Sequence, residues 1–185
     1  MSTTCSSRRH GFTVLELMIS VAIIGMLAAM AIPAFDKLQL AAKTGEVKLN
    51  LSAIRTAESL YYTEHRRFVG APATPSGGPP PSTPSEFTGG GLSAFDALGF
   101  IPEGRVYFQY GIAVDPSSPL AYTADARADL DGDGFAQIWG YVHPDPDGNV
   151  VPVGEIGCTG VVIGASTGVR EIVGPCGVAF GRSVF

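Results

Sequence analysis

Three carboxylates alternate along Asp129-Leu130-Asp131-Gly132-Asp133-Gly134, the residue type and spacing with which a loop converges oxygen ligands on a hard cation such as calcium. The glycines permit the sharp turn that such a loop needs. A complete calcium hand counted from Asp129 would close with glutamate at its twelfth position, where Gly140 stands, and the flanks read as strands rather than helices. The stretch is therefore either a calcium loop without the full hand or a metal-free acidic turn, whose carboxylates repel unless solvated or paired. Gly164-Ala165-Ser166-Thr167-Gly168 carries the letters of a hydrolase nucleophile elbow, behind the apolar run from Val161 to Ile163. That chemistry requires a histidine beyond the serine, and none follows Ser166. A glycine-rich loop between Cys158 and Cys176 explains the same letters. His65 and His143 stand alone, without metal-ligand spacing. With no catalytic constellation, the chain reads as a non-enzyme.

One charge sits where charges are costly. From Phe12 to Ile32 the chain is almost wholly apolar, long enough for a helix to cross a ~30 Å hydrocarbon core, yet it carries Glu16. A lone carboxylate there costs on the order of 2.5–3.5 kcal/mol by insertion scales, so it calls for a partner. Arg8, Arg9 and His10 precede the run and Ala29-Met30-Ala31 imitates a cleavage site, so a secretory signal is one reading. A plain membrane anchor, its amino end held in the cytoplasm by the arginines, is another. Neither gives Glu16 a partner.

The net charge is −5, and because Arg8 and Arg9 precede the apolar run with no acid among them, the remainder is more acidic still. Its basic residues are scattered, which argues against a binder of nucleic-acid backbone. Of the three cysteines, Cys5 lies in the polar leader, while Cys158 and Cys176 lie where an exported domain meets an oxidising compartment. They form either one disulfide or two unrelated buried thiols.

Gly11-Phe12-Thr13-Val14-Leu15-Glu16-Leu17-Met18-Ile19, preceded by basic residues and followed by Val21-Ala22-Ile23-Ile24-Gly25 and Ala31-Ile32-Pro33-Ala34-Phe35, resembles the amino-terminal signature of type IV pilins and type II secretion pseudopilins. The rest of the chain matches only in layout. The resemblance implies that a prepilin peptidase cuts between Gly11 and Phe12 and methylates the new amine on Phe12. It implies that Phe12 and Glu16 form the assembly contact, the Glu16 carboxylate pairing with the terminal ammonium of a neighbouring copy in a homopolymeric filament. Such a pair is far less costly in low dielectric than either ion alone. Gly25 and Pro33 both weaken a helix, and in family filaments this region is often unwound. The implied life history is an inner-membrane precursor taken up by pilus assembly machinery into a surface filament, or a pseudopilin or minor pilin. The contrasting reading is a membrane-anchored calcium- or ligand-binding module that never polymerises.

The expected fold class is α+β, a long amino-terminal helix packed on an antiparallel sheet. The segments are a leader at 1–11, a membrane and assembly helix at 12–35, an amphipathic helix at 36–68, a loop at 69–92 and a sheet-bearing head at 93–185. Leu40, Val47, Ile54 and Tyr61, with Leu51 and Ala57, mark the inward stripe of the amphipathic helix. Asn50-Leu51-Ser52 is a glycosylation sequon placed unfavourably on that helix. The Gly, Pro, Ser and Thr of 70–91 predict a surface loop without helix or sheet. Alternation predicts strands over Arg105 to Val114, Ala121 to Ala128 and Ala136 to Val142, with short strands at Val150 to Val153 and Gly160 to Ile163.

Overall fold

A computed structural model describes residues 11–78, 82–116 and 118–177, with Ser118 described in its backbone alone. The expected leader 1–11 therefore lies outside the described residues except for Gly11. The chain divides into two compact units, residues 1–39 and 40–185. A single helix, α1 (Val14–His65), supplies the described structure of the first and opens the second.

In the first unit the side chains of the amino-terminal stretch are mostly apolar and uncovered. Phe12, Leu15, Met18, Ile24 and Met26 are all more than half exposed, and the most apolar window has a mean hydropathy of 2.3. Leucine, methionine and alanine favour the helix, which continues past both Gly25 and Pro33. Proline removes one backbone bond from the ladder, and the long helical flanks carry α1 past it. The single chain is thus helical where the filament is expected to unwind.

The second unit has three layers. From residue 40 onward α1 buries Thr44, Val47, Leu51, Ile54 and Glu58, spaced three or four apart along one face. Leu40, Ala57 and Tyr61 pack at the margin of the same core. Beneath lies an antiparallel sheet in the order β1-β4-β5-β6-β9, with β1 Ala71–Thr74, β4 Gln109–Asp115, β5 Ser118–Ala128, β6 Gln137–His143 and β9 Gly174–Pro175. Its helix-facing side sets small Ala124 and Ala126 among Tyr110, Ile112, Tyr122, Trp139 and Tyr141, all buried. The small residues let the helix approach and the rings fill the sides. A third layer, the irregular segment from about residue 150 to 160, covers the other face of the sheet. It is tied there by Thr123 Oγ1 donating to the Val151 carbonyl at 3.4 Å.

Three expectations need correction. The loop expected at 70–91 contains β1, an edge strand paired with β4, and β2 (Ser85–Glu86), paired with β3 (Arg105–Val106). Prolines are tolerated at a sheet edge, and burial of Ala71 and Thr74 outweighs composition. The strand expected over Arg105 to Val114 breaks at Tyr107, because the Tyr107 amide donates to the Glu46 carboxylate on α1, at 3.1 Å to each oxygen. No strand forms at Val150 to Val153. The short strand expected at Gly160 to Ile163 forms as β7 (Val161–Ile163) and pairs with β8 (Ser166–Val169) in a separate hairpin. Gly164 turns that hairpin at φ 64°. The apparent nucleophile elbow is thus a hairpin turn. A short helix, α2 (Leu92–Ala97), buries Phe95 against Phe87 and Phe100.

Candidate assembly site and the polar framework of the head

The amino end of α1 is built around Glu16. Thr13 precedes the first helical residue, and its Oγ1 accepts the Glu16 amide N–H at 3.2 Å. Glu16 Oε2 in turn accepts the Thr13 hydroxyl at 3.3 Å and the Thr13 amide at 3.5 Å. This reciprocal arrangement is a capping box, in which two of the amides left over at a helix start are satisfied by side chains. The carboxylate also lies at the positive end of the helix dipole. In the single chain, then, the partner of Glu16 is its own helix terminus. Thr13 is the residue the sequence reading missed, although Thr-x-x-Glu before an apolar run is its signal. Gly11 and Phe12 are exposed beside this box, and a side chain at Gly25 would meet open space.

Asp129, Asp131 and Asp133 come together as the sequence implies, their nearest carboxylate oxygens all within 4.8 Å of one another. Asp129 Oδ1 accepts the Gly132 amide at 2.8 Å and its Oδ2 the Gly134 amide at 3.0 Å, while Asp133 Oδ1 accepts the Phe135 amide at 2.8 Å. Lost hydration raises the pKa of Asp131, and the charges of Asp133 and Asp129 add to the rise. The donor set suits a hard cation, and the loop's own amides already occupy several of its oxygens.

Two acids pin α1 to the rest of the head. Glu46, besides breaking the strand at Tyr107, accepts the Tyr110 hydroxyl at 2.9 Å. Asn50 donates to that hydroxyl at 2.8 Å, which engages the sequon's amide in the helix–sheet contact. Burial raises the pKa of Glu46 against the pull of these bonds and pushes Tyr110 well above its ordinary value. Glu58 is 0% exposed, and its two oxygens accept the Val69 amide at 3.3 and 3.1 Å where the chain returns from the helix. Burial pushes its pKa up to about 8. Lys43, Lys48 and Arg55 lie over the rings of Tyr107, Trp139 and Tyr141 at 5.0, 5.1 and 5.6 Å. His143 pairs with Glu171 at 3.5 Å, while burial lowers its pKa against that carboxylate's pull.

The two head cysteines are joined, Cys158 to Cys176, with Cα atoms 5.3 Å apart. The bridge packs over Gly140, where any side chain would collide with both sulfurs. The Cys176 amide donates to the Ile138 carbonyl at 2.8 Å, which ties the bridge to β6.

Residues 6–32 match the family model described as the prokaryotic N-terminal methylation motif. The type IV major pilin protein PilA of Myxococcus xanthus is 30% identical to the chain, over 81% of this chain and 87% of that protein. The chain belongs to the type IV pilin family. Other relatives match this pilin over a shorter stretch: a fimbrial protein of Neisseria meningitidis is 40% identical over 34% of this chain and 36% of its own. A fimbrial protein of Pseudomonas aeruginosa is 42% identical over 36% of this chain and 43% of its own. No solved structure matches the pilin. The methylation motif takes in Gly11, Phe12, Thr13, Glu16 and Gly25 together.

Proposed function

We propose that this pilin is the structural subunit of a type IV pilus. The observation that carries the reading is the first unit: an apolar helix whose most apolar window is 0% buried, joined to the methylation motif and bearing one carboxylate at its start. Such a surface requires lipid before assembly and other helices after it. In this reading a prepilin peptidase cuts after Gly11 and methylates Phe12. The inner membrane then stores the precursor until assembly machinery adds it to a filament of identical copies.

Assembly asks Glu16 to exchange partners. Within one chain its carboxylate closes the capping box with Thr13, and in the filament the ammonium of a neighbouring Phe12 offers it a full opposite charge. Gly25 and Pro33 give the helix its compliant stretch. The relatives' names favour a pilus subunit over a pseudopilin or a non-polymerising anchored module. Asp129, Asp131 and Asp133 are the residues that would hold calcium, which would crosslink their loop.

The experiment is mass spectrometry of filaments sheared from cells, with wild type beside Glu16→Ala. The wild-type subunit is expected to begin at N-methylated Phe12. The variant is expected to be processed at the same bond, with its sheared filament yield at least tenfold lower, as expected when removing one partner of a buried pair costs ~3–5 kcal/mol. Unprocessed wild-type chain, or normal filament yield from Glu16→Ala, would overturn the reading.

A further inference from the structure

The sheet face away from α1 carries a polar seam. In the register of β4, β5 and β6, Asp125 stands between Gly111 and Gly140, so the missing side chains on either side leave a slot on the face where its carboxylate projects. The turn at 154–158 fills that slot. A side chain at Gly111 would run into Glu155 and Ile156, one at Gly140 into the Cys158–Cys176 sulfurs, and one at Gly154 into the Asp125 carboxylate itself. Asp125 is 0% exposed. Its Oδ2 accepts the Ile156 amide at 2.8 Å and the Cys158 amide at 3.1 Å. The turn closes on itself through the Gly154 amide, which donates to the Cys158 carbonyl at 2.8 Å. Oδ1 is buried without a hydrogen-bond partner among the described residues.

One oxygen thus holds the turn, and the other is buried without a hydrogen bond that meets ordinary geometry. The bonds to Oδ2 favour the anion, whereas burial opposes it and Glu155 adds like charge. Burial is the largest of these effects, and the pKa of Asp125 rises to about 7. The charged groups facing it are few. Glu155 comes from the turn, and Arg127 lies two residues along the same strand, where its Nη2 donates to Gln109 Oε1 at 3.1 Å. From β4 and β6 the facing positions are Gly111 and Gly140, with Gln109, Ala113, Ile138 and Val142 beside them, none of them charged.

We propose that Asp125 is a proton-linked latch on the disulfide loop. Protonated, it seats the 154–158 turn, and with it the Cys158–Cys176 bridge, against the sheet; ionised, it favours release of the turn into water. The closed form holds the proton more tightly than an open form in which the carboxyl is hydrated. Opening therefore grows as pH rises from about 3.8 toward about 7 and levels off above, by at most about tenfold per pH unit for a single proton. The latch is a property of one folded chain and does not depend on whether that chain polymerises.

The test is reduction of the bridge in the full chain, in detergent, by a phosphine reductant between about pH 4 and about pH 8, with Asp125→Asn measured alongside. The variant is neutral throughout and reports the reductant's own dependence on pH. The ratio of wild-type to variant rate is expected to rise at least about tenfold across that range, and a ratio independent of pH overturns the latch. If Asp125→Asn does not fold, the carboxyl carbon-13 resonance of wild-type Asp125 decides. A midpoint near 7, accompanied by movement of the Ile156 and Cys158 amide resonances, supports the latch. A midpoint near the ordinary 3.8, or amides that stay still through the titration, overturns it.

Discussion

Glu58 shows how a carboxyl can serve a fold by staying neutral. It sits on the buried face of α1 with both oxygens directed at the Val69 amide, in surroundings that withhold the water an anion needs. Its folded pKa of about 8 stands above the ordinary 4.5, so the folded head keeps a proton that the unfolded chain gives up. The stabilisation linked to that proton is fully present below about 4.5 and is lost as pH rises toward about 8. The slope cannot exceed about 1.4 kcal/mol per pH unit for one group. Glu58→Gln keeps an acceptor for the Val69 amide and removes the titration. Denaturant unfolding of wild type and variant is therefore expected to show a stability difference that shifts toward the variant between pH 5 and pH 8. A difference that does not vary with pH would show that Glu58 is ionised in the folded head.

At the scale of elements, legibility followed periodicity. The stripe through Val47, Leu51 and Ile54 was readable because three- and four-residue spacing reports a buried helix face directly, and β5 and β6 were readable from alternation and β-branched or aromatic content. Glu58 and Thr44 on the same helix face were not, because their burial depends on a distant amide and on Gln137 Nε2, which donates to Thr44 Oγ1 at 3.3 Å. β1 was hidden by Pro72 within it and Pro75 just after it, since an edge strand owes its place to its neighbour's hydrogen bonds. The break at Tyr107 was hidden by a contact 61 residues away in sequence, from Glu46. At the amino end the motif is legible residue by residue, and Thr13-x-x-Glu16 before the apolar run carries the pattern of the capping box as well.

The Asp129–Asp133 loop is an element whose ligand a thermal measurement can assign. A loop that binds calcium gains about 2.7 kcal/mol when the ion is at a hundred times its dissociation constant. The unfolding temperature is then expected to rise in millimolar calcium for wild type and to stay put for Asp131→Asn. A wild-type transition that calcium does not move identifies the loop as an acidic turn held by its own amides.

The whole molecule joins two units with opposite solvent requirements. Residues 40–185 own a core of Val47, Leu51, Ile54, Phe95, Phe108 and Tyr110, all at 0% exposure, along with the disulfide. The first unit leaves Phe12, Leu15, Met18, Ile24, Met26, Met30 and Ile32 between 62% and 71% exposed. Burying one such side chain is worth about 1.5–3 kcal/mol, so a few of them together rival the 5–15 kcal/mol that typically holds a domain folded. The apolar helix therefore dictates where the chain resides, and the head dictates whether it is folded. A chain starting at Leu40 is expected to be monomeric in water, with its disulfide formed and a cooperative unfolding transition, while the chain starting at Phe12 is expected to require detergent. Light scattering and thermal unfolding of the two would measure this. A shortened chain that aggregates, or melts without cooperativity, would show that the head draws its stability from residues before Leu40.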